Sequence, residues 1–350
     1  MPAPRYAHLV GSIPLDDAET VFRAVGGVLK PYLKRLPDGE TGQRLHWIGF
    51  MIKMLNNHTM MEVDAETPPL QWKQWDGVLL REFPYVKFKD GVDPAKAVYD
   101  LPYAKDAIES YAKFTALQDE GVIARDTLFQ ICIPTPLAPA YNIVAPRARA
   151  DFIPVWTKQL LAQVAEIQDA LPNDRIGFQW DVCQEVLMWE NYYDFRPDNY
   201  KEEILSVLGQ IGDAVREPSD LGYHLCYGSP RDEHLIMPKD AAVMVEMTHG
   251  ILAAVKRPIQ FFHLPVPKDR TDDAFFAPLE KLDLPAGCEL YLGLIHHGDT
   301  AGDTARMAAA QRHVEFEGVG TECGWGRGDP ERIPYMLESH RNALTSRSNQ

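Results

Sequence analysis

His224 and Cys226 are the pair in this sequence best suited to chemistry. They lie in "GYHLCYGSP" (222–230), a short β-rich run closed at once by Gly-Ser-Pro. Residues i and i+2 of a strand project from the same face, so an imidazole and a thiol stand side by side. A chance His/Cys neighbour in a core is the plain alternative. Zn2+, however, prefers thiolate and imidazole, and a catalytic site leaves one of its positions open. Cys323, just before "GWGRG" at the end of the last β-rich run, offers a second thiol.

The chain around these residues has 350 residues, 45% hydrophobic and 24% charged, which suits an ordinary globular protein. Its net charge of −15 argues against broad binding to nucleic acid or anionic membranes, both of which need basic surfaces. No apolar run approaches spanning length, and "MPAPRYAHLV" lacks a signal core, so a cytoplasmic protein is expected. The cysteines (Cys132, Cys183, Cys226, Cys288 and Cys323) are odd in number and widely spread. That usage fits reduced thiols and metal ligation better than a disulfide framework. Cys132, Cys183 and Cys288 read as small apolar fillers.

Positioning such residues takes a regular scaffold. β-rich runs near residues 8, 36, 130, 178, 225, 261, 292 and 319 alternate with helical patterns. "AVMVEM" (242–247) has strand propensity, but Val243, Met247, Ile251, Leu252 and Val255 share one helical stripe behind Pro238, and the helix reading wins. Eight alternating units predict an α/β fold of one domain over 1–350, a single (β/α)8 TIM barrel. Residues 35–130 are the least regular part and are rich in tryptophan.

Working residues of such a barrel sit at the C-terminal ends of the strands. The polar residues there are Ser12, Asp38, Glu40, Asp181, His224, Cys226, His263, His296, His297, Glu322 and Cys323. Ser12 and Glu40 have a bland alternative, the satisfaction of loop backbone. Asp181 needs a partner if it is buried. Trp47, Trp180, Phe262 and Trp325 are candidate walls for a flat ligand, and Lys268 and Arg270 suit an anionic substrate if their loop covers the mouth.

Several short motifs resemble, in order, those of the catalytic barrel of cobalamin-independent methionine synthase. "VGSIP" resembles that family's GSFP, "LPDGE" its HGE, "FQWD" its IDEP strand, "HLCYGSP" its HMCY zinc motif, "LIHHGD" its DIHSP and "GTECGWGR" its PDCGLKTR. The resemblance implies a Zn2+ cofactor held by His224, Cys226 and Cys323. The family's remaining ligand is a glutamate on the sixth strand; here His263, favoured, and Glu246 compete for that place. It further implies that Ser12, Glu40 and Asp181 hold a thiol amino acid, that His296 is a general acid, and that a small methyl donor is the other partner. A homo-oligomer is compatible with the sequence. The changes to "WDVC", "GTEC" and "DGET" fall where substrate would bind, so a changed substrate is expected. The alternative is a zinc-dependent lyase or hydrolase acting on a small, aromatic substrate and using Trp180, Trp325 and the doubled histidine His296–His297.

Overall fold

The computed structural model describes residues 4–230 and 234–345. Eight strands form one parallel sheet: β1 (Tyr6–Ala7), β2 (Arg35–Pro37), β3 (Leu128–Pro134), β4 (Ile176–Val182), β5 (Asp220–Leu225), β6 (Phe261–Pro265), β7 (Glu289–Ile295) and β8 (Gly318–Thr321). Each pairs with its sequence neighbour from β2 to β8, and β8 pairs with β1. Helices fill every connection. The architecture is that of a TIM-barrel-like α/β fold.

The strands read as they do because both faces are covered. In β4, "IGFQWDV", every residue is buried; Gln179 and Asp181 meet inside the sheet, and alternation sends Phe178 and Trp180 toward the helices. The helix Ala18–Leu29 starts where the Asp17 side chain accepts from Thr20 N at 2.8 Å, and it buries Val21, Phe22, Val25 and Leu29. The ambiguous segment is the helix Ala242–Ala254, which begins four residues beyond Pro238, where the Asp240 carboxylate accepts from Ala242 N.

At the N-terminal ends of the strands, Arg35 of β2 reaches Asp220 of β5 at 2.5 Å and Glu289 of β7 at 3.0 Å. Its guanidinium lies over the Phe261 ring of β6 at 4.3 Å. These contacts across the interior require a strongly curled sheet and plug its lower end.

No ladder joins β1 to β2 among the described residues. Side chains and one backbone bond bridge the seam instead. Ile13 N donates to Gly39 O at 2.9 Å. Gln130 Nε2 donates to Leu9 O, and Gln179 Nε2 and Cys132 Sγ both donate to Val10 O. The extended segment after β1 thus finds buried partners that a neighbouring strand would otherwise supply.

The irregular region contains two small antiparallel ladders that the sequence reading missed. Met61–Val63 pairs with Val86–Phe88, and Leu70–Lys73 pairs with Leu79–Phe83. The second hairpin turns at Asp76-Gly77, where Gly77 has φ 87°. An Asp-Gly turn between apolar runs is the signal that could have revealed it. No helix among the described residues is long and apolar enough to cross a membrane.

Candidate metal centre and active site

The C-terminal ends of β5 and β8 bring three ligand-type side chains together. Potential ligand atoms of His224, Cys226 and Cys323 all lie within 4.8 Å of one another, and the two sulfurs are 3.6 Å apart. His224 and Cys226 are buried, and the Nε2 atom of His224 makes no hydrogen bond. A buried, unpartnered ring nitrogen beside two thiols fits a metal ion, and three protein donors leave a fourth tetrahedral position free. Burial holds His224 down at about 4, so the imidazole is neutral and its lone pair is available.

His263 does not join this group. It stands behind His224, with the two Nδ1 atoms 2.8 Å apart. Register explains its place: His263 and His224 are cross-strand partners on β6 and β5. Glu246 lies elsewhere, on the outer helix Ala242–Ala254, hydrogen-bonded to Trp189 Nε1 at 2.9 Å and ion-paired with Lys201 at 2.5 Å. Neither sequence candidate for a further ligand therefore belongs to the three-residue cluster.

Two carboxyl groups face the cluster across one cavity of about 820 Å³. Burial pushes Asp181 up to about 7 and raises Glu40 well above the carboxylate range, where the nearby Asp181 charge adds to the effect. Glu40 sits in a left-handed turn with φ 47°, behind Gly39 at φ 79°. Such strain, on the order of 1–3 kcal/mol for a non-glycine residue, persists where surrounding contacts hold it. Here the contacts are specific. Asp38 Oδ1 accepts from Glu40 N at 2.9 Å, while its Oδ2 takes Arg44 at 2.5 Å and Ser110 Oγ at 3.0 Å. Gly11 leaves room for the carboxyl: a Cβ there would lie 3.2 Å from Glu40 Cδ.

Ser12 lines the same cavity; its Oγ accepts from Gly326 N at 3.3 Å and its carbonyl from Trp325 N at 2.6 Å. Arg327, also in the lining, donates from Nη2 to Cys323 Sγ at 2.8 Å. Sequence reading passed over Arg327, and it took Cys183 for a filler. Cys183 lines the cavity and contacts Cys226, raising that thiol's pKa.

The remaining candidates are placed differently. His296 lines a second cavity of about 250 Å³ on the other side of Cys323, and its Nε2 bonds Val266 O at 2.9 Å. Trp325 borders that second cavity too, with Nε1 donating to Thr321 Oγ1 at 2.8 Å. Trp180 and Phe262 are fully buried and line neither cavity, because alternation along their strands turns them outward. Of the four aromatic candidates, Trp47 alone lines the main cavity, joined there by Phe50, Trp72 and Phe83. Lys268 borders the second cavity, and Arg270 is bound to Asp272.

The solved structures of similar architecture agree with the motif reading. The chain resembles a putative vitamin-B12-independent methionine synthase from Listeria monocytogenes, at 17% identity and TM-score 0.58 over 98% of both chains. It also resembles the B12-independent methionine synthase of Shewanella sp. W3-18-1, solved with selenomethionine, at 13% identity and TM-score 0.60 over 98% of this chain and 97% of that one. The chain has the fold of these enzymes. A methyltransferase from Methanosarcina mazei shares it at 10% identity and TM-score 0.54, over 98% of this chain and 94% of that one. No protein-family description matches the sequence, and no curated protein matches it.

Proposed function

We propose that this chain is a zinc-dependent, cobalamin-independent transferase that moves a methyl or other alkyl group to a thiol. The observation that carries this reading is the convergence of His224, Cys226 and Cys323 on one wall of a cavity that also holds Glu40 and Asp181. We also read the sheet as a closed (β/α)8 barrel forming one domain, supported by the Ile13–Gly39 bridge across the seam.

His224, Cys226 and Cys323 would hold the zinc ion. When bound, zinc supplies a position for the acceptor sulfur and lowers the thiol pKa, so that the sulfur is nucleophilic at neutral pH. The chain's own groups do the rest. Glu40 and Asp181 share protons when the cavity is empty, and an arriving ammonium group stabilises their ionised forms and is held by them. Ser12 adds a hydroxyl at the same end. In the transfer, the sulfur–carbon bond forms as the carbon–donor bond breaks, and the leaving group takes up a proton. Arg327 offsets negative charge beside Cys323 and fixes that side chain's direction. The Shewanella protein of this fold is in complex with selenomethionine, a methylated chalcogen amino acid of the kind this reading calls a product.

A lyase or hydrolase that draws on the doubled histidine has less support, since His296 is engaged by Val266 O and lies outside the main cavity. The test is metal analysis of the purified protein, followed by transfer from simple methyl donors to thiol amino acids before and after chelation. Zinc at about one per chain and loss of transfer on chelation, restored by zinc, are expected. An active metal-free enzyme removes the proposal. Turnover without any thiol acceptor shifts it to the lyase or hydrolase class.

A further inference from the structure

His263 is buried, packed against the rings of His8 and His224, and has no place in the mechanism so far. It and His224 leave adjacent parallel strands on the same face. The Nδ1 atoms are 2.8 Å apart, and both rings are shut off from solvent. Two neutral imidazoles can share that bond only when one Nδ1 carries the proton and the other accepts.

The two assignments have different consequences. With the proton on His263 Nδ1, His224 is protonated at Nε2. A buried N–H would then point at the cysteines, with no lone pair to offer a metal. With the proton on His224 Nδ1, its Nε2, which makes no hydrogen bond, presents a lone pair. His263 then carries its own proton on Nε2, which, like His224 Nε2, makes no hydrogen bond of normal geometry and lies against the backbone at Gly320–Thr321. Two neighbours hold the ring in that orientation. Gly320 clears its edge, since a Cβ there would lie 3.0 Å from His263 Nε2. His8 stacks on it with centroids 4.9 Å apart and planes at 26°, and is itself bonded through Nε2 to Gln179 Oε1 at 2.9 Å.

We infer that His263 is a positioning residue that fixes His224 as the Nδ1–H tautomer and so makes Nε2 the metal donor; this rests on the zinc reading above. A carboxylate behind His224 would do the same orienting but would add charge. The neutral acceptor leaves a site of two thiolates, one imidazole and a divalent cation with no net charge, ready to take an anionic sulfur. Partners of this kind behind a metal-bound histidine are worth about 10–100-fold in metal affinity.

The test compares wild type with His263→Asn, whose amide oxygen can stand where Nδ1 accepts, and His263→Leu, which cannot accept. Three quantities are read: zinc affinity by competition with a chromogenic chelator, the ring 15N shifts of His224 in the metal-free protein, and the visible absorption of the Co2+-substituted protein. His263→Leu is expected to weaken zinc binding about 10–100-fold with its unfolding midpoint monitored alongside. His263→Asn is expected to restore most of the affinity and keep the Co2+ spectrum. The wild-type shifts should report a proton on His224 Nδ1, a result that does not depend on either variant folding. A folded His263→Leu protein with wild-type affinity overturns the inference, as does a wild-type His224 protonated at Nε2. A Co2+ spectrum altered in His263→Asn also overturns it, by making His263 a ligand. A wild type that binds no zinc overturns the functional reading as well, so the two failures are told apart.

Discussion

Cys226 and Cys323 are separated by 97 positions in the chain, yet their sulfurs are 3.6 Å apart. Contact with Cys183 raises the Cys226 pKa, contact with Cys226 raises that of Cys323, and burial adds to both. Both groups are therefore neutral thiols at pH 7 until a cation arrives. Zinc binding should expel about two protons per site at neutral pH, because only thiolates ligate. Affinity should fall as pH is lowered. Calorimetric titration in buffers of different ionisation enthalpy measures the release, and zero release would contradict this account of the site.

Asp181 gives a stability prediction with a definite sign. Burial lifts it to about 7 in the folded chain, above the ordinary value of about 3.9 in the unfolded chain. Between those two values the folded state holds the extra proton, so stability falls as pH rises through that window. Asp181→Asn removes this dependence. At pH 8 the metal-free variant should be more stable than wild type by about 2–4 kcal/mol, with the gap closing near pH 4. Denaturant midpoints across that range check it, and parallel curves for the two proteins would refute it. The same substitution should abolish acceptor binding.

Gly11 sits against the Glu40 carboxyl, and an added Cβ would be 3.2 Å from Glu40 Cδ and 3.4 Å from Cys132 Sγ. Gly11→Ala should displace Glu40 without touching the cysteine–histidine cluster. We expect KM for the acceptor to rise roughly tenfold, equivalent to about 1.4 kcal/mol, with zinc affinity unchanged. Equal losses in both would mean that Gly11 serves the fold in general.

Two buried arginines separate stability from function. Arg44 pairs with Asp38 at 2.5 Å and Asp106 at 2.7 Å, and Asp38 holds the Glu40 backbone. Arg35 pairs with Asp220 and Glu289 at the opposite end of the sheet. Replacing Arg44 by Met strands the buried Asp38 carboxylate and should cost about 3–5 kcal/mol; replacing Arg35 leaves the partly buried Asp220 unpaired while Glu289 keeps Lys34, and should cost less. Arg44→Met should also raise KM, whereas Arg35→Met should leave the kinetics of the surviving folded enzyme alone. Chemical denaturation beside steady-state kinetics distinguishes them.

The eight strands of the sheet were legible because burial on both faces gives short continuous apolar runs, and "AVMVEM" yielded to its helical stripe. The convergence of His224, Cys226 and Cys323 was legible because residues i and i+2 of a strand share a face and the last strand ends at a second thiol. What sequence could not give was direction. Trp180 differs from Asp181 by one position, and that single step turns it from cavity wall to packing against helices. His263 lies at the expected strand end, but whether its ring meets the cysteine cluster or the ring of His224 depends on cross-strand pairing and side-chain packing that the sequence does not show. Cys183 follows the end of β4 and reads like any buried cysteine, although it lines the main cavity with Cys226. The two ladders at 61–88 escaped because their strands are short and half exposed, leaving little periodicity to read.

The main cavity draws its inner end from strand termini and its outer end from residues 42–83, which lie outside the eight-stranded sheet. Phe50, Trp72 and Phe83 can therefore be exchanged without disturbing the strands that carry His224, Cys226 and Cys323. One reactive centre can in this way be refitted to new molecules by altering a detachable brim, and divergence among chains of this architecture should be concentrated there.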